Sequence, residues 1–242
     1  MKAPYGIEVQ SSCASCTERA DRLFCNIPDD ALCVFDEMKY TAVYPKGAIL
    51  FMEDHEPSGV FVICAGTVKL FNSTQDGRQV AVQVAGVGDV LGLSAVVTGD
   101  RLEVSAETLE PCDVKFVKRS DLLRLLRRSR EFSVRVAEVL GRTCQGVYSH
   151  ARAVGLSQTV EARLAMFLLE RCEQGGEASD HGIRFALPLT HEQIAQMIGT
   201  SRESVSRTLS DFRRRNLVAV SGSTCEVRDP QALGAVVRAS HE

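Results

Sequence analysis

Residues 190–218 read THEQIAQMIGTSRESVSRTLSDFRRRNLV and predict two short helices joined by a tight turn. Ile194, Met197 and Ile198 have the i, i+3, i+4 spacing of one apolar helix face, and Gly199 then interrupts the pattern. Apolar residues return on a second helix at Val205, Leu209 and Phe212. This pattern is typical of a helix-turn-helix, in which the second helix enters the major groove of DNA.

Both helices have candidate N-terminal caps. Thr190 is followed three residues later by Gln193, and Thr200 is followed at the same distance by Glu203. Each pair matches a capping box, in which two side chains bond to each other's backbone amides. The alternative is an ordinary helix pair with a solvated charged face, and two capping boxes around a glycine turn argue against it.

The outward face of the second helix carries the side chains that we expect to contact DNA. Arginine can donate two hydrogen bonds to guanine, and glutamate can accept one from the amino group of cytosine. Arg202, Glu203 and Arg207 therefore suit adjacent base pairs of one half-site. The full set of expected DNA contacts is Thr190, Thr200, Ser201, Arg202, Glu203, Ser204, Ser206 and Arg207.

The charge of the chain points to local rather than general nucleic-acid contact. The net charge is −3 over 242 residues, which argues against a protein that coats nucleic acid along its whole surface. Between Ile183 and Val220, however, six arginines stand against three acidic residues. We expect phosphate contacts in this segment.

Composition and motifs exclude other classes of protein. No apolar run approaches membrane-spanning length, and the N-terminus lacks the apolar core of a signal peptide. We therefore expect a cytoplasmic protein without membrane contact, whose nine cysteines stay reduced. A Gly-rich phosphate loop, a His-Glu-x-x-His pair and a nucleophile elbow are all missing, so we do not expect an enzyme.

The first half of the chain predicts a β-rich domain. Residues 41–118 contain short runs rich in Val, Ile and Phe, separated by glycine turns and by the hairpin signal Asp76-Gly77. Such spacing predicts a β-barrel or a double-sheet roll. A short helix is expected before it at residues 27–38, with Ile27, Leu32 and Phe35 facing inward.

A long helical region is expected after the strands, with Ser120 as its cap. Between Arg130 and Val154 apolar or small residues recur near heptad spacing, which suits a seam between two helices. These residues are Val136, Leu140, Thr143, Val147, His150 and Val154. Packing of the helix against its own roll is the alternative. A hinge is expected around Gly155–Ser157, a polar turn at residues 175–182, and a small hairpin turning at residues 221–223.

The segment SRESVSR, residues 201–207, resembles the recognition helix of the CRP/FNR superfamily of bacterial transcription regulators. CRP-type members carry R-E-x-x-x-R and FNR-type members carry E-x-x-S-R, and this segment satisfies both. YPKGAILF and GDVLGLSAVVTGD resemble the effector-sensing β-roll of the same superfamily. The resemblance covers nearly the whole chain.

The resemblance implies an α+β fold. It consists of an N-terminal cyclic-nucleotide-binding-like β-roll with the cysteine segment (residues 1–128), a long dimerisation helix (129–154) and a C-terminal winged helix-turn-helix domain (155–242). It also implies a homodimer on double-stranded DNA with a palindromic operator, and RNA polymerase is a candidate further partner.

The resemblance does not favour cAMP as the effector. Family members that bind cAMP carry a glutamate after G-D-x-x-G and an Arg-Ser or Arg-Thr pair about a dozen residues later. In this chain Leu93 and Ser94 follow Gly92, and Glu103-Val104 occupy the position of the pair. A carboxylate at ~4 Å from a cyclic phosphate costs ~1 to 4 kcal/mol, so we do not expect cAMP binding.

FNR-type members instead hold an oxygen-labile [4Fe–4S] cluster with three N-terminal cysteines and one on the β-roll. Cys13 and Cys16 match the C-x2-C pair, and Cys112 in the phrase ETLEPC matches the cysteine of the roll. Cys25 is the natural third ligand, although it lies farther from the pair than in the family. Cys33 competes for that role.

Several alternatives stay open at this point. A CRP/FNR-type regulator without a cluster can respond to thiol oxidation or to a small-molecule effector in the β-roll. Haem needs axial ligands, and none of the five histidines stands in a motif that favours it. A ligand-binding module that does not bind DNA is the rival from a different class. The other cysteines are expected to be small core residues: Cys64, Cys144, Cys172 and Cys225.

Overall fold

The computed structural model describes residues 4–7, 9–73, 79–156 and 159–240. Within these ranges, only the backbone is described for residues 21, 149–156, 174 and 175. The chain divides into two compact units, Met1–Gln145 and Gly146–Glu242. No helix within the described ranges is long and apolar enough to cross a membrane.

The first unit opens with two 3-10 turns, Pro4–Gly6 and Thr17–Asp21, followed by helix α1, Asp29–Met38. This helix confirms the prediction for residues 27–38. Leu32 and Phe35 on its inward face are buried, as is Ile27, two residues before the helix begins.

Eight strands follow α1 in the described residues, and they confirm the predicted double-sheet roll. They are β1 Tyr40–Tyr44, β2 Ile49–Phe51, β3 Gly59–Ala65, β4 Val68–Ser73, β5 Gln79–Ala85, β6 Val90–Leu91, β7 Ser105–Thr108 and β8 Cys112–Lys118. Two four-stranded sheets result, in the orders β1-β8-β3-β6 and β2-β7-β4-β5. The Asp76-Gly77 turn lies outside the described residues, and the strands on either side of it pair antiparallel. A short helix that the sequence pattern did not predict, α2 Leu93–Thr98, lies between β6 and β7.

Two helices follow the roll, α3 Arg119–Arg128 and α4 Arg130–Leu156. The prediction that Ser120 caps this region is wrong, because α3 begins at Arg119 without a side-chain cap. The Arg119 amide bonds at 2.9 Å to the carbonyl of Ser58, so the roll itself fixes where the helix begins.

Helix α4 changes its surroundings along its length. Phe132 and Val136 are buried against the roll and Leu140 is half-buried, whereas residues 141–148 are all exposed. The first turns therefore pack on the chain's own roll, and the predicted seam is uncovered from Thr143 to Val147. The side chains of His150 and Val154 and the residue Ser157 lie outside the described part of the chain.

The two faces of the β1-β8-β3-β6 sheet carry different apolar clusters. Phe61 and Ile63 on β3 face the interior of the roll, where they join Val114 of β8. Val60 and Val62 face the opposite way and join a cluster with residues of α1, α3 and α4. Successive side chains of a strand point to opposite faces, so the odd and even positions of β3 are separated by the sheet. We call the face of the sheet that carries Val60 and Val62 the outer face of the roll.

After the end of α4, the described residues of the second unit form four helices and one four-stranded sheet. The elements are α5 Val160–Gly175, β9 Glu177–Ser179, β10 Gly182–Ala186, α6 His191–Ile198, α7 Arg202–Arg214, β11 Val218–Ser221, β12 Thr224–Val227 and α8 Pro230–Ala239. The sheet order is β11-β12-β10-β9. The predicted hairpin is confirmed, with Gly222 in the left-handed region at φ 58° in its turn.

The predicted polar turn at residues 175–182 is wrong in part, because it contains strand β9. Ser179 donates to the carbonyl of Gly182 at 3.2 Å and to the carboxylate of Glu226 at 2.8 Å. These partners lie elsewhere in the sheet, so a polar segment that looks like a loop in the sequence is held as a strand.

Candidate nucleic-acid interface and cysteine site

The first helix of the helix-turn-helix begins as predicted. Thr190 accepts a hydrogen bond from the amide of Gln193 at 3.2 Å, and the Gln193 side chain accepts from the Thr190 amide at 2.8 Å. Both bonds of the capping box are therefore present. Ile194, Met197 and Ile198 are buried, which confirms the apolar face of α6.

The second predicted capping box is wrong. The amide of Thr200 bonds at 2.9 Å to the carbonyl of Ala195, so Thr200 still completes the C-terminus of α6. Ser201 is extended instead, and its hydroxyl accepts from the amide of Ser204 at 3.3 Å. Helix α7 is therefore capped one residue later than predicted. Gly199, at φ 65°, provides the left-handed residue that ends α6.

The outward face of α7, here called the reading face, presents the residues that are predicted to contact DNA bases. Arg202, Glu203 and Arg207 are exposed, whereas Val205, Leu209 and Phe212 are buried. The hydrogen bond from its own backbone amide and that from the Ser201 hydroxyl hold the pKa of Glu203 below its usual range. Glu203 is therefore a carboxylate at neutral pH and can accept a hydrogen bond from a base.

The remaining predicted contact residues lie around this face. Thr190 and Ser201 are exposed, and Thr200, Ser204 and Ser206 are half-buried. The guanidinium of Arg207 donates to the Ser204 hydroxyl at 3.4 Å, which holds the arginine along the helix.

A contact that the sequence pattern did not reveal joins the two helices. His191, at the start of α6, lies 2.7 Å through Nδ1 from the hydroxyl of Ser206 on α7. His191 and Ser206 are fifteen residues apart in the sequence, and the packing of α6 on α7 brings them together. No local sequence pattern predicts such a contact. The bond fixes the first turn of α6 against the reading face of α7.

Three more arginines lie at the C-terminal end of α7. Arg213, Arg214 and Arg215 are exposed, and Asp211 pairs with the last two. A hollow of about 520 Å³ adjoins them and is lined by His181, Arg215, Asn216, Leu217, Arg228 and Asp229. Two guanidinium groups thus lie near one concave surface, which suits phosphate contacts.

The three N-terminal cysteines of the predicted cluster lie together on the outer face of the roll. Cys13 and Cys25 pack against the outer apolar cluster, and the Cys16 amide bonds at 3.3 Å to the Cys13 carbonyl. Burial, with smaller contributions from neighbouring Cys13 and Cys16, raises the pKa of Cys25 to about 11. All three cysteines are half-buried free thiols.

Asp36 on α1 anchors the loop that carries Cys13, and the sequence analysis missed it. Its carboxylate accepts from the Cys13 amide at 2.7 Å, from the Ser12 hydroxyl at 3.0 Å and from the ammonium of Lys39. Burial acts to raise the pKa of Asp36, but these hydrogen bonds outweigh it and lower the pKa to about 2.

The structure does not bring Cys112 to the other three predicted ligands. Cys112 lies at the start of β8, in the interior cluster of the roll, where it is completely buried. Its thiol contacts the carbonyls of Glu110 at 3.2 Å and Thr67 at 3.4 Å. The sheet therefore separates Cys112 from Cys13 and Cys25, and its role as a ligand stays a prediction.

The other cysteines divide into buried and accessible ones. Cys172 and Cys225 are buried, which confirms the expectation that they are core residues. The same expectation is wrong for Cys144, which is exposed, and for Cys64, which is only half-buried. Cys33 is exposed on α1. No group of three or more His, Cys, Asp or Glu side chains in the described ranges is arranged to hold a single metal ion.

A buried ion pair lies beneath the cysteine segment. The ammonium of Lys115 is 2.7 and 2.9 Å from the two carboxylate oxygens of Asp113, and both side chains are 1 % exposed. The amide of Gln10 donates to the same carboxylate at 3.1 Å. The segment before Cys13 is thereby attached to β8.

An aromatic cluster connects the cysteine segment to the long helix. Phe24, which precedes Cys25, meets the rings of Phe35 on α1 and Phe132 on α4 edge-on, each at 5.6 Å between centroids. The position of the Cys25 loop is thus linked by direct packing to the start of α4.

An acidic residue occupies the position where cAMP-binding family members carry their Arg-Ser or Arg-Thr pair. Glu103 is exposed, and its carbonyl accepts from Asn72. Arg101 donates instead to the backbone carbonyl of Asp54. This placement agrees with the reasoning against cAMP, which stays a prediction.

Comparison with known proteins places both halves of the chain. Residues 41–129 match the cyclic nucleotide-binding domain, and residues 162–236 match the Crp-like helix-turn-helix domain. The chain belongs to the CRP/FNR family. This family consists of DNA-binding transcription regulators, which agrees with the helix-turn-helix and the roll.

Among its relatives, the CRP/FNR-family chain is 26 % identical over 212 residues to a CRP-like cAMP-activated global transcriptional regulator of Mycobacterium tuberculosis, covering 87 % of this chain and 94 % of the relative. It is 27 % identical to the nitrogen fixation regulation protein FixK of Azorhizobium caulinodans, covering 79 % and 77 %. The structure of FixK2 from Bradyrhizobium japonicum superposes with a TM-score of 0.74 at 25 % identity, over 82 % of this chain and 96 % of that one.

Proposed function

We propose that the protein binds a palindromic operator as a homodimer and that oxygen or redox state controls this binding through a [4Fe–4S] cluster held by the N-terminal cysteines. The observation that carries the DNA-binding half of the proposal is the exposed row of Arg202, Glu203 and Arg207 on a capped helix. The gathering of Cys13, Cys16 and Cys25 on the outer face of the roll carries the control half.

Helix α7 supplies base recognition in this proposal. Its first two turns carry the exposed arginines and Glu203, and these turns are the ones that reach base edges when a recognition helix enters the major groove. Arg213, Arg214 and Arg215 lie at the other end of α7 and contact the phosphate backbone. The N-terminal end of α7 thus contacts the bases, and its C-terminal end contacts the phosphates.

Dimerisation is assigned to the second half of α4. Val147 and Tyr148 are 58 % and 67 % exposed, although both are large and apolar or aromatic. A second copy of α4 packed along the seam covers Val147. A two-fold dimer then places two α7 helices one DNA turn apart, about 34 Å. On a promoter, such a dimer recruits or excludes RNA polymerase.

The cysteines present fit an iron–sulfur cluster in donor type, and three of the four expected ligands come together. Cys13, Cys16 and Cys25 would hold the cluster, with the fourth thiolate from the roll. A cluster at this position supplies an iron–sulfur centre that oxygen can oxidise. The reduced thiols that it requires are those of the cytoplasm, where we place the protein.

The chain has a packing route from the cysteines to the dimer helix. Ligation by Cys25 would hold the loop that carries Phe24, and Phe24 packs on Phe132 at the start of α4. Loss of that ligation would remove a constraint on this loop. The position of α4 is thereby biased by the state of the cysteines.

A cluster-free thiol sensor is disfavoured by the surroundings of the same cysteines. Burial raises the pKa of Cys13 to about 12 and that of Cys25 to about 11. Thiols with such pKa values are protonated at neutral pH and react slowly with oxidants, because the thiolate is the nucleophile.

Selection of DNA from a random duplex library, performed without oxygen, tests the DNA-binding proposal. The expected result is enrichment of a palindrome whose half-site centres are about 10 base pairs apart, bound with an affinity that falls steeply as salt rises. A protein that enriches no sequence, or whose binding ignores salt, contradicts the proposal. The Arg238→Ala variant, in α8, serves as a charge-matched control for loss of one arginine.

A further inference from the structure

We propose that Cys64, on β3, is the thiolate that the roll contributes to the N-terminal cysteine site, in the position that the family resemblance gives to Cys112. The inference rests on the proposed cluster site and specifies its fourth ligand. The site then consists of Cys13, Cys16, Cys25 and Cys64, all on one side of the β1-β8-β3-β6 sheet.

Strand geometry places Cys64 on the correct face. Val60 and Val62 point to the outer face, and Cys64 lies two residues farther along the same strand. The pairing of β3 with β8 shifts register between Ile63 and Ala65, so Cys64 is the extra residue of a β-bulge beside Asp113. A bulge of this kind re-aims a side chain and interrupts regular pairing next to a site.

The loop between the N-terminal cysteines reaches the same place. The backbone amide of Gly88 bonds at 2.8 Å to the carbonyl of Ile63, the residue before Cys64. Arg22 packs over Gly88 so closely that a Cβ there would lie 3.2 Å from its Cγ. The carbonyl of Arg22 accepts from the Cys25 amide at 3.0 Å, so a single turn connects Arg22 to Cys25.

The electrostatic effects between the thiols agree with this geometry. Burial is the main cause that raises the pKa of Cys64 to about 11, and Cys25 is among the smaller causes. Cys64 is likewise among the smaller causes that raise the pKa of Cys13.

Arg22 also contacts the C-x2-C pair. Its guanidinium donates to the sulfur of Cys16 at 3.9 Å, and its side chain packs over Gly88. The same residue therefore lies between Cys16 and the backbone that bonds to Ile63.

Cys112, by contrast, is closed off from the N-terminal segment. Its sulfur lies so close to the Gly66 turn that a Cβ on Gly66 would be 2.6 Å away. Its neighbours on the same face of β8, Val114 and Phe116, pack inside the roll. To reach Cys13 or Cys25, Cys112 would have to turn to the other side of its strand.

The test compares iron and sulfide content after anaerobic reconstitution of full-length variants. Cys64→Ser is expected to lose most of its iron and sulfide, and Cys112→Ser is expected to keep the wild-type content. Cys33→Ser, an exposed thiol of the same unit, is the matched control. Cys64→Ala is measured alongside, with circular dichroism to verify folding. Retention of the cluster by folded Cys64 variants, or its loss from folded Cys112→Ser with Cys64 intact, overturns the inference.

A second measurement separates this inference from the proposed function. If wild-type protein takes up no iron, the cluster proposal fails. The position of Cys64 is then tested in the reduced, metal-free protein with dibromobimane, a reagent that crosslinks adjacent thiols. Peptide mass spectrometry should find Cys64 bridged to Cys13, Cys16 or Cys25. Bridges from Cys112 to these residues, or no bridge at all from Cys64, overturn the inference.

Discussion

Arg202 and Arg207 extend from the exposed face of α7 without a carboxylate partner among the ion pairs of the described residues. Replacing either with alanine should cost ~1 to 3 kcal/mol of operator binding and relax the base preference at one position, because a bidentate contact to guanine is lost. Fluorescence anisotropy with the selected operator and single-base variants measures both effects. Arg238→Ala should leave base preference unchanged. Wild-type affinity and preference in both α7 variants would show that another element reads the DNA.

Ser201 gives a second prediction at this scale. Its hydroxyl caps α7, whereas Thr200 belongs to the end of α6. Ser201→Ala should lower the free energy of unfolding of the second unit by about 1 kcal/mol, and Thr200→Ala should cost less. Urea denaturation followed by circular dichroism compares the two variants. A larger loss from Thr200→Ala would mean that the helix starts one residue earlier than observed.

At the scale of elements, the pair of Lys115 and Asp113 holds β8 and the start of the cysteine segment. Lys115→Met leaves a buried carboxylate without its cation, so it should lower the free energy of unfolding of the first unit by ~3 to 5 kcal/mol. Adding Asp113→Leu should recover much of this loss, because the unpaired charge is removed. Urea unfolding measures both variants. Wild-type stability in Lys115→Met would contradict the buried ion pair.

Local patterns in the sequence predicted the elements whose stability is local. The alternating runs of the roll, the apolar face of α6 and the Gly222 hairpin were all confirmed. The Ser120 cap and the polar turn at residues 175–182 were predicted wrongly because the bonds that fix these places join residues distant in the sequence. These bonds run from Arg119 to Ser58 and from Ser179 to Glu226. A propensity pattern contains no information about such partners.

The same distinction applies to the sites. The exposed face of α7 follows from helical periodicity, so the reading residues were found from sequence. The bond from His191 to Ser206 and the anchoring role of Asp36 depend on tertiary packing and were missed. For Cys64 one signal was available, since its position alternates with the buried residues Phe61 and Ile63 of β3. The bulge that places it beside Asp113 had no sequence signal.

At the scale of the whole molecule, the exposed half of α4 predicts the dimer. Val147 is on the heptad seam and 58 % exposed, and Val134 is 52 % exposed on the opposite side of the same helix. Val147→Glu should weaken dimerisation, because a charge replaces an apolar contact that contributes ~1.5 to 3 kcal/mol when buried. Val134→Glu is the matched control and should remain dimeric. Analytical ultracentrifugation distinguishes them, and equal dimer stability in the two variants would place the interface elsewhere.

The central claim is that the state of the N-terminal cysteines controls DNA binding by α7. One measurement tests it directly: operator affinity of a single anaerobically reconstituted sample, titrated by fluorescence anisotropy before and after exposure to air, with iron content recorded at each step. We predict that loss of iron in air weakens operator binding by at least about tenfold, or ~1.4 kcal/mol. Loss of iron with unchanged operator affinity would contradict it.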